Sequence, residues 1–99
     1  MTKTILIING PNLDMLGTRQ PEVYGHDTLA DVEALCQRIA KEEGVEIDFR
    51  QSDSESEIMG WIKQSRGKTA GLLINPAGFT STSIAILDSL LIYDAPIIE

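Results

Sequence analysis

Apolar residues along the chain switch between two periods. Lys3 to Ile8 (KTILII) is a short β-branched run stopped by Asn9-Gly10-Pro11-Asn12, the pattern of a strand buried on both faces. From Thr28 the spacing becomes helical through Leu29, Val32, Leu35, Cys36 and Ile39, with Asp27 as N-cap, Asp31 in the first turn and Gly44 after the last. Val45 to Arg50 (VEIDFR) alternates apolar with polar, as a half-exposed edge strand does. A second helix starts in the acidic stretch Asp53 to Glu57 and carries Ile58, Trp61 and Ile62 on one face. Ala70 to Ile74 (AGLLI) repeats the continuous apolar pattern and ends at Asn75-Pro76-Ala77-Gly78. Thr80 to Tyr93 then returns to helical spacing through Ile84, Leu87, Leu90 and Leu91, and Ala95 to Glu99 (APIIE) opens a fourth apolar run.

Strands alternating with helices predict an α/β domain over residues 1–99: a parallel sheet joined by right-handed crossovers, with helices in the outer layers. The half-polar second strand suits an edge, which gives a flavodoxin-like order 2-1-3-4 with its switch point between strands one and three. Ligands bind such sheets beyond the carboxyl ends of the strands at that point, so the loops after Ile8 and Ile74 are expected to line the site together. They offer Asn9, Gly10, Pro11 and Asn12 on one side and Asn75 to Ser83 on the other, amides and hydroxyls suited to neutral polar substituents.

At 99 residues the chain holds one hydrophobic core, and 42% apolar with 23% charged residues is the balance of an ordinary globular protein. Eight scattered basic residues against fifteen acidic ones leave a charge of -7, with no cationic face to follow a phosphate backbone, so nucleic acid is not an expected partner. An anionic ligand would have to be held by local donors, loop amides or a placed arginine. Cys36 has no second cysteine to pair with and reads as core filler. No apolar run approaches the roughly 18 residues of a membrane span and no leader pattern precedes the first strand, so a cytosolic, cytoplasmic protein is expected.

The loop after the first strand reads GPNLDMLGTR, which is neither G-x-G-x-x-G nor G-x-x-x-x-G-K-[ST] and carries no acidic pair for Mg²⁺ where the strand ends. One histidine and one cysteine far apart give no zinc spacing and no nucleophile–base pair. What stands out is Leu13 to Asp27 (LDMLGTRQPEVYGHD), far longer than the about two to six residues usual for such a connection. Gly17 and Gly25 bracket it like hinges around Arg19 and Tyr24, which suggests a lid over residues 13–27 that carries a base. A phenol is a weak base near neutral pH, and an adjacent guanidinium stabilises the phenolate and lowers its pKa. The plain alternatives are that Arg19 and Tyr24 are exposed loop residues, and that Asn12 and Asn75 are turn formers bonding their own backbone.

INGPNLDMLGTRQPEVYG, DFRQS and INPAGFTSTSIAILDSLL together resemble the type II 3-dehydroquinate dehydratases, from Ile7 to Glu99 without a gap. The resemblance implies a flavodoxin-like fold, assembly as a homotrimer of which four make a dodecamer, and dehydration of 3-dehydroquinate to 3-dehydroshikimate without metal or cofactor. It implies that Tyr24, as tyrosinate activated by Arg19, removes the C2 proton in an anti elimination through an enolate. Asn12 matches the residue that holds a water against the enolate oxygen, and Asn75 a substrate-binding amide. Asp88 matches an aspartate reaching a neighbouring subunit's substrate, and Glu99 the carboxylate that orients the acid histidine.

Three departures from the family pattern follow. Ser81 stands where histidine commonly binds a ring hydroxyl; serine is shorter and still bonds. Asp53, Ser54 and Ser56 stand where the family often has Asn, His and Gly, nearer the second helix than the chemistry, and little consequence is expected. The acid histidine, the amides for the substrate carboxylate, a substrate-binding arginine and the last strand and helix all lie beyond the position of Glu99 in the family, so the fold is expected to be incomplete. His26, the single histidine, reads as an exposed loop residue. Two functions remain: a lyase of the shikimate pathway and aromatic amino acid biosynthesis, or an inactive remnant kept as a binding or assembly subunit.

Overall fold

The computed structural model describes residues 2–18, 22, 25–79 and 83–99. Four parallel strands, β1 (Thr4–Asn9), β2 (Glu46–Gln51), β3 (Gly71–Asn75) and β4 (Ile97–Ile98), form a sheet in the order β2-β1-β3-β4. This is the expected 2-1-3-4 arrangement of the flavodoxin-like fold. The helices are α1 (Leu29–Glu43), α2 (Glu55–Ser65) and α3 (Ile84–Ile92), with short 3-10 turns at Leu13–Met15 and Ala77–Phe79.

Each strand alternates its side chains between two faces, and the two faces differ in how they are covered. On one, Leu6 and Ile8 of β1 and Leu72 and Ile74 of β3 pack with Ile58 and Ile62 of α2 and with Ile86 and Tyr93, which makes the main core. Ile8, Ile58 and Ile62 are wholly buried. On the other, α1 lies against β2 with Ala40 buried, while Leu35 and Ile39 of α1, Leu73 of β3 and Ile98 of β4 stay exposed. The helical period of α1 is therefore as expected, yet two of the five apolar residues in its stripe, Leu35 and Ile39, stay 46% and 48% exposed.

Local chemistry moves several boundaries. Thr28, not Asp27, caps α1: its hydroxyl accepts from the Asp31 amide while the Asp31 carboxylate accepts from the Thr28 amide, a reciprocal capping box. Gly44 closes the same helix in the left-handed conformation, at φ 72°. Ser54 caps α2 through the Glu57 amide, so Asp53 lies outside the helix. Ser83 caps α3, which starts later than Thr80.

The buried side of α3 is also corrected. Ile84, Leu87 and Leu91 face outward, Ile84 being 82% exposed, and Ile86, Ser89 and Tyr93 face the core. In IAILDSLLI nearly every position is apolar, so spacing alone does not pick the face. Cys36 is half-buried and free rather than a core side chain. No helix among the described residues is long and apolar enough to cross a membrane.

Candidate active site

The first and third strand ends are locked together before any functional group is placed. Asn9 sits level with Gln51 of β2 on one side and Asn75 of β3 on the other, so three amide residues end three adjacent strands. Beyond them the Gly10 amide donates to the Asn75 carbonyl at 2.8 Å. A Cβ on Gly10 would come within 2.4 Å of the Pro76 carbonyl oxygen, which is backbone and cannot swing aside. Only glycine lets the two loops approach this closely.

Between these loops opens a cleft of about 350 Å³, lined by Pro11, Asn12, Leu13, Met15 and Leu16 and, opposite, by Ala77 and Gly78. It lies where the strand order places it, outside the carboxyl ends of β1 and β3. The lining is more apolar than the loop composition suggested, with Asn12 the polar side chain facing a wall of Leu, Met and Pro. Such a surface excludes water around a few placed polar groups.

The two asparagines read from the loops turn out differently. The Asn75 side-chain oxygen accepts from the Ala77 amide at 3.1 Å, which is a turn formed with its own backbone. Its amide NH₂ makes no hydrogen bond among the described residues. Asn12 is left-handed, at φ 68° and ψ 0°, and its side chain caps nothing. Its backbone is held from β2's loop: the Asn12 amide donates to Asp53 Oδ1 at 2.9 Å, and Gln51 Nε2 donates both to that oxygen and to the Gly10 carbonyl, each at 3.2 Å. Asp53, read as lying nearer the second helix than the chemistry, thus also bonds a residue that lines the cleft.

Arg19, Tyr24 and Ser81 lie outside the described residues, as do Gln20, Pro21 and Val23 of the segment read as a lid. Its two ends are described. Gly17 has a left-handed φ of 85°, and a Cβ there would lie 2.7 Å from the His26 carbonyl oxygen, so Gly17 and His26 are in close backbone approach. Gly25 is left-handed as well. His26 is exposed and does not line the cleft. Asp88, on the exposed side of α3, and Glu99, exposed after β4, are likewise not among the cleft's lining residues.

A second hollow, of about 250 Å³, lies beside the β2 edge on the face covered by α2, where Arg50 sits 5.3 Å above the Trp61 ring. The paired hydrogen bonds from Arg50 to Asp48 hold the guanidinium pKa above its usual value, against the opposing effect of burial. None of its lining residues belongs to the loops after β1 and β3. No group of three acidic, histidine or cysteine side chains among the described residues is placed to bind a metal.

The family model described as Dehydroquinase class II matches residues 3–99. The chain is 58% identical over 93 residues to 3-dehydroquinate dehydratase 2 of Agrobacterium fabrum, covering 94% of this chain and 63% of that protein. It is 46% identical to 3-dehydroquinate dehydratase 2 of Pseudomonas aeruginosa, covering all of this chain and 67% of that one. The crystal structure of the type II dehydroquinase from Propionibacterium acnes superposes with a TM-score of 0.91 at 42% identity, over 98% of this chain and 67% of that chain. The chain thus spans about two thirds of the length of these relatives. With the sheet order, the cleft between the first and third loops and the matched sequence in agreement, the chain belongs to the class II dehydroquinase family.

Proposed function

We propose that this chain carries the base half of a 3-dehydroquinate dehydratase site, a lyase site that loses water through an enolate. What supports the reading is the cleft, which puts Asn12 opposite Ala77 and Gly78 beyond the carboxyl ends of β1 and β3. In this proposal Tyr24, as tyrosinate beside Arg19, takes the C2 proton next to the ketone. The electron pair moves onto the ketone oxygen, and the C1 hydroxyl then leaves as water once protonated, restoring the carbonyl as a conjugated enone. Asn12 steadies a water against the enolate oxygen, where an aligned donor is worth a few kcal/mol, about 2.7 to 4 for a strong oxyanion donor. Asn75 and Ser81 bind ring substituents, Asp88 reaches a neighbouring subunit's substrate within a homotrimer of the dodecamer, and Glu99 orients the acid.

A second reading, a binding or assembly subunit without turnover, draws on the apolar side chains left exposed on α3. One experiment separates the two. Growth of the enone absorbance reports complete dehydration of 3-dehydroquinate, and loss of its C2 proton signal in deuterated water reports enolate formation alone. The base half predicts C2 exchange in the 99-residue chain, lowered by about 10²- to 10⁴-fold in Tyr24→Phe with substrate affinity nearly kept. Exchange that survives Tyr24→Phe would sink the base assignment. Neither signal from the unaltered chain would leave the assembly reading.

A further inference from the structure

Asn12 can serve the cleft only if its backbone stays where the structure has it, and the turn that carries it is held both from within the loop and from outside it. Its left-handed conformation is tolerated by asparagine without being preferred. Pro11 before it has no amide proton to anchor the turn. Within the loop, the Leu13 amide donates to the Gly10 carbonyl at 3.4 Å and closes Gly10-Pro11-Asn12-Leu13 as a type II turn with left-handed Asn12 in third place, and the Met15 amide donates to the Asn12 carbonyl at 3.0 Å. The restraint from outside the loop comes from β2's end. Asp53 Oδ1 accepts the Asn12 amide proton, and the two protons of Gln51 Nε2 reach the Gly10 carbonyl and the same Asp53 oxygen. The turn Gly10-Pro11-Asn12 is therefore gripped at both ends by two side chains two positions apart.

We infer that Asp53, with Gln51, is a positioning residue that fixes the peptide of Asn12 and so aims its side chain into the cleft. The inference deepens the proposed function, because the aim matters only if Asn12 acts on the enolate. Asp53 is exposed and stands just ahead of α2, so a purely helical role is the rival: a negative charge near a helix N-terminus stabilises the helix without touching Asn12. The two roles respond differently to loss of charge. Asparagine at position 53 keeps an oxygen that accepts the Asn12 amide and gives up the charge; alanine gives up both.

The test compares Asp53→Ala and Asp53→Asn in the 99-residue chain by two readouts. Nitrogen-15 NMR follows the Asn12 backbone amide and its hydrogen exchange, with the core amides of Ile58 and Ile62 as a control for folding. C2-proton exchange of 3-dehydroquinate follows the chemistry. Asp53→Ala is expected to speed exchange at the Asn12 amide and to lower the saturated C2-exchange rate by about tenfold, with KM changing less than about twofold, because an interaction aimed at the enolate is lost. Asp53→Asn is expected to restore most of both. An Asn12 amide unmoved in Asp53→Ala, or an asparagine variant as impaired as the alanine one, overturns the clamp. If the unaltered chain exchanges no C2 proton, the proposed reaction fails, and the Asn12 amide by itself decides the positioning role.

Discussion

Single residues at the cleft divide into those that shape it and those that face it. Gly10 and the Asn75 carbonyl shape it, by a backbone contact that no Cβ survives. Asn12 faces it. The Asn75 side chain helps to shape it too, its oxygen spent on the Ala77 turn, and is not among the cleft's lining residues. The base belongs to the same scale. If Arg19 lowers the pKa of Tyr24, replacing it by leucine removes a cation that favoured the phenolate, so the phenol deprotonates at higher pH. The rise of C2 exchange with pH should then move upward in Arg19→Leu, and an unchanged pH profile would refute the activator role. The residues hardest to see in advance were Gln51 and Asp53. DFRQSDS reads as the end of a strand and the start of a helix, and a bond to Asn12, 41 positions earlier, appears only when β2 is laid beside β1.

At the level of elements, α2 and α3 show how far hydrophobic period reaches. The stripe of Ile58 and Ile62 in α2 was legible because Glu57 precedes it and Lys63 and Gln64 follow it, and both isoleucines are wholly buried. Ile62→Ala should therefore destabilise the fold by about 2 to 5 kcal/mol, the range for emptying a packed core site, as read from chemical denaturation. A loss under about 1 kcal/mol would mean that this core is not packed as described. In α3 polar residues are too few to mark a side, and the sheet decides: Ile86 and Tyr93 meet the core, and the Tyr93 hydroxyl finds the Thr69 hydroxyl at 2.7 Å. The outward stripe of Ile84, Leu87 and Leu91 is what remains.

At the scale of the molecule, that outward stripe and the apolar side chains of α1, β3 and β4 leave two surfaces uncovered among the described residues. Isolated exposed apolar residues need no explanation, but a continuous stripe on a helix is expected to find a partner. If α3 takes part in the proposed homo-oligomer, Leu91→Glu should shift the sedimentation coefficient of the chain toward that of a monomer, because it buries a charge in the contact. The core readouts should stay intact, since Leu91 is 77% exposed. A sedimentation profile identical to that of the unaltered chain would remove α3 from the interface.

The sequence by itself determined the alternation of strands and helices, the parallel sheet, the edge position of β2 and the two loops that meet at the switch point. These follow from local periods and from turn residues, which act over a few positions and leave their mark in the order of amino acids. It also carried the family, through motifs at the same two loops. Tertiary structure decided what depends on distant neighbours: which side of α3 is buried, which of two similar asparagines is committed to a turn, and that Asp53 holds Asn12. Those outcomes are set by contacts between segments tens of residues apart, which no local pattern records.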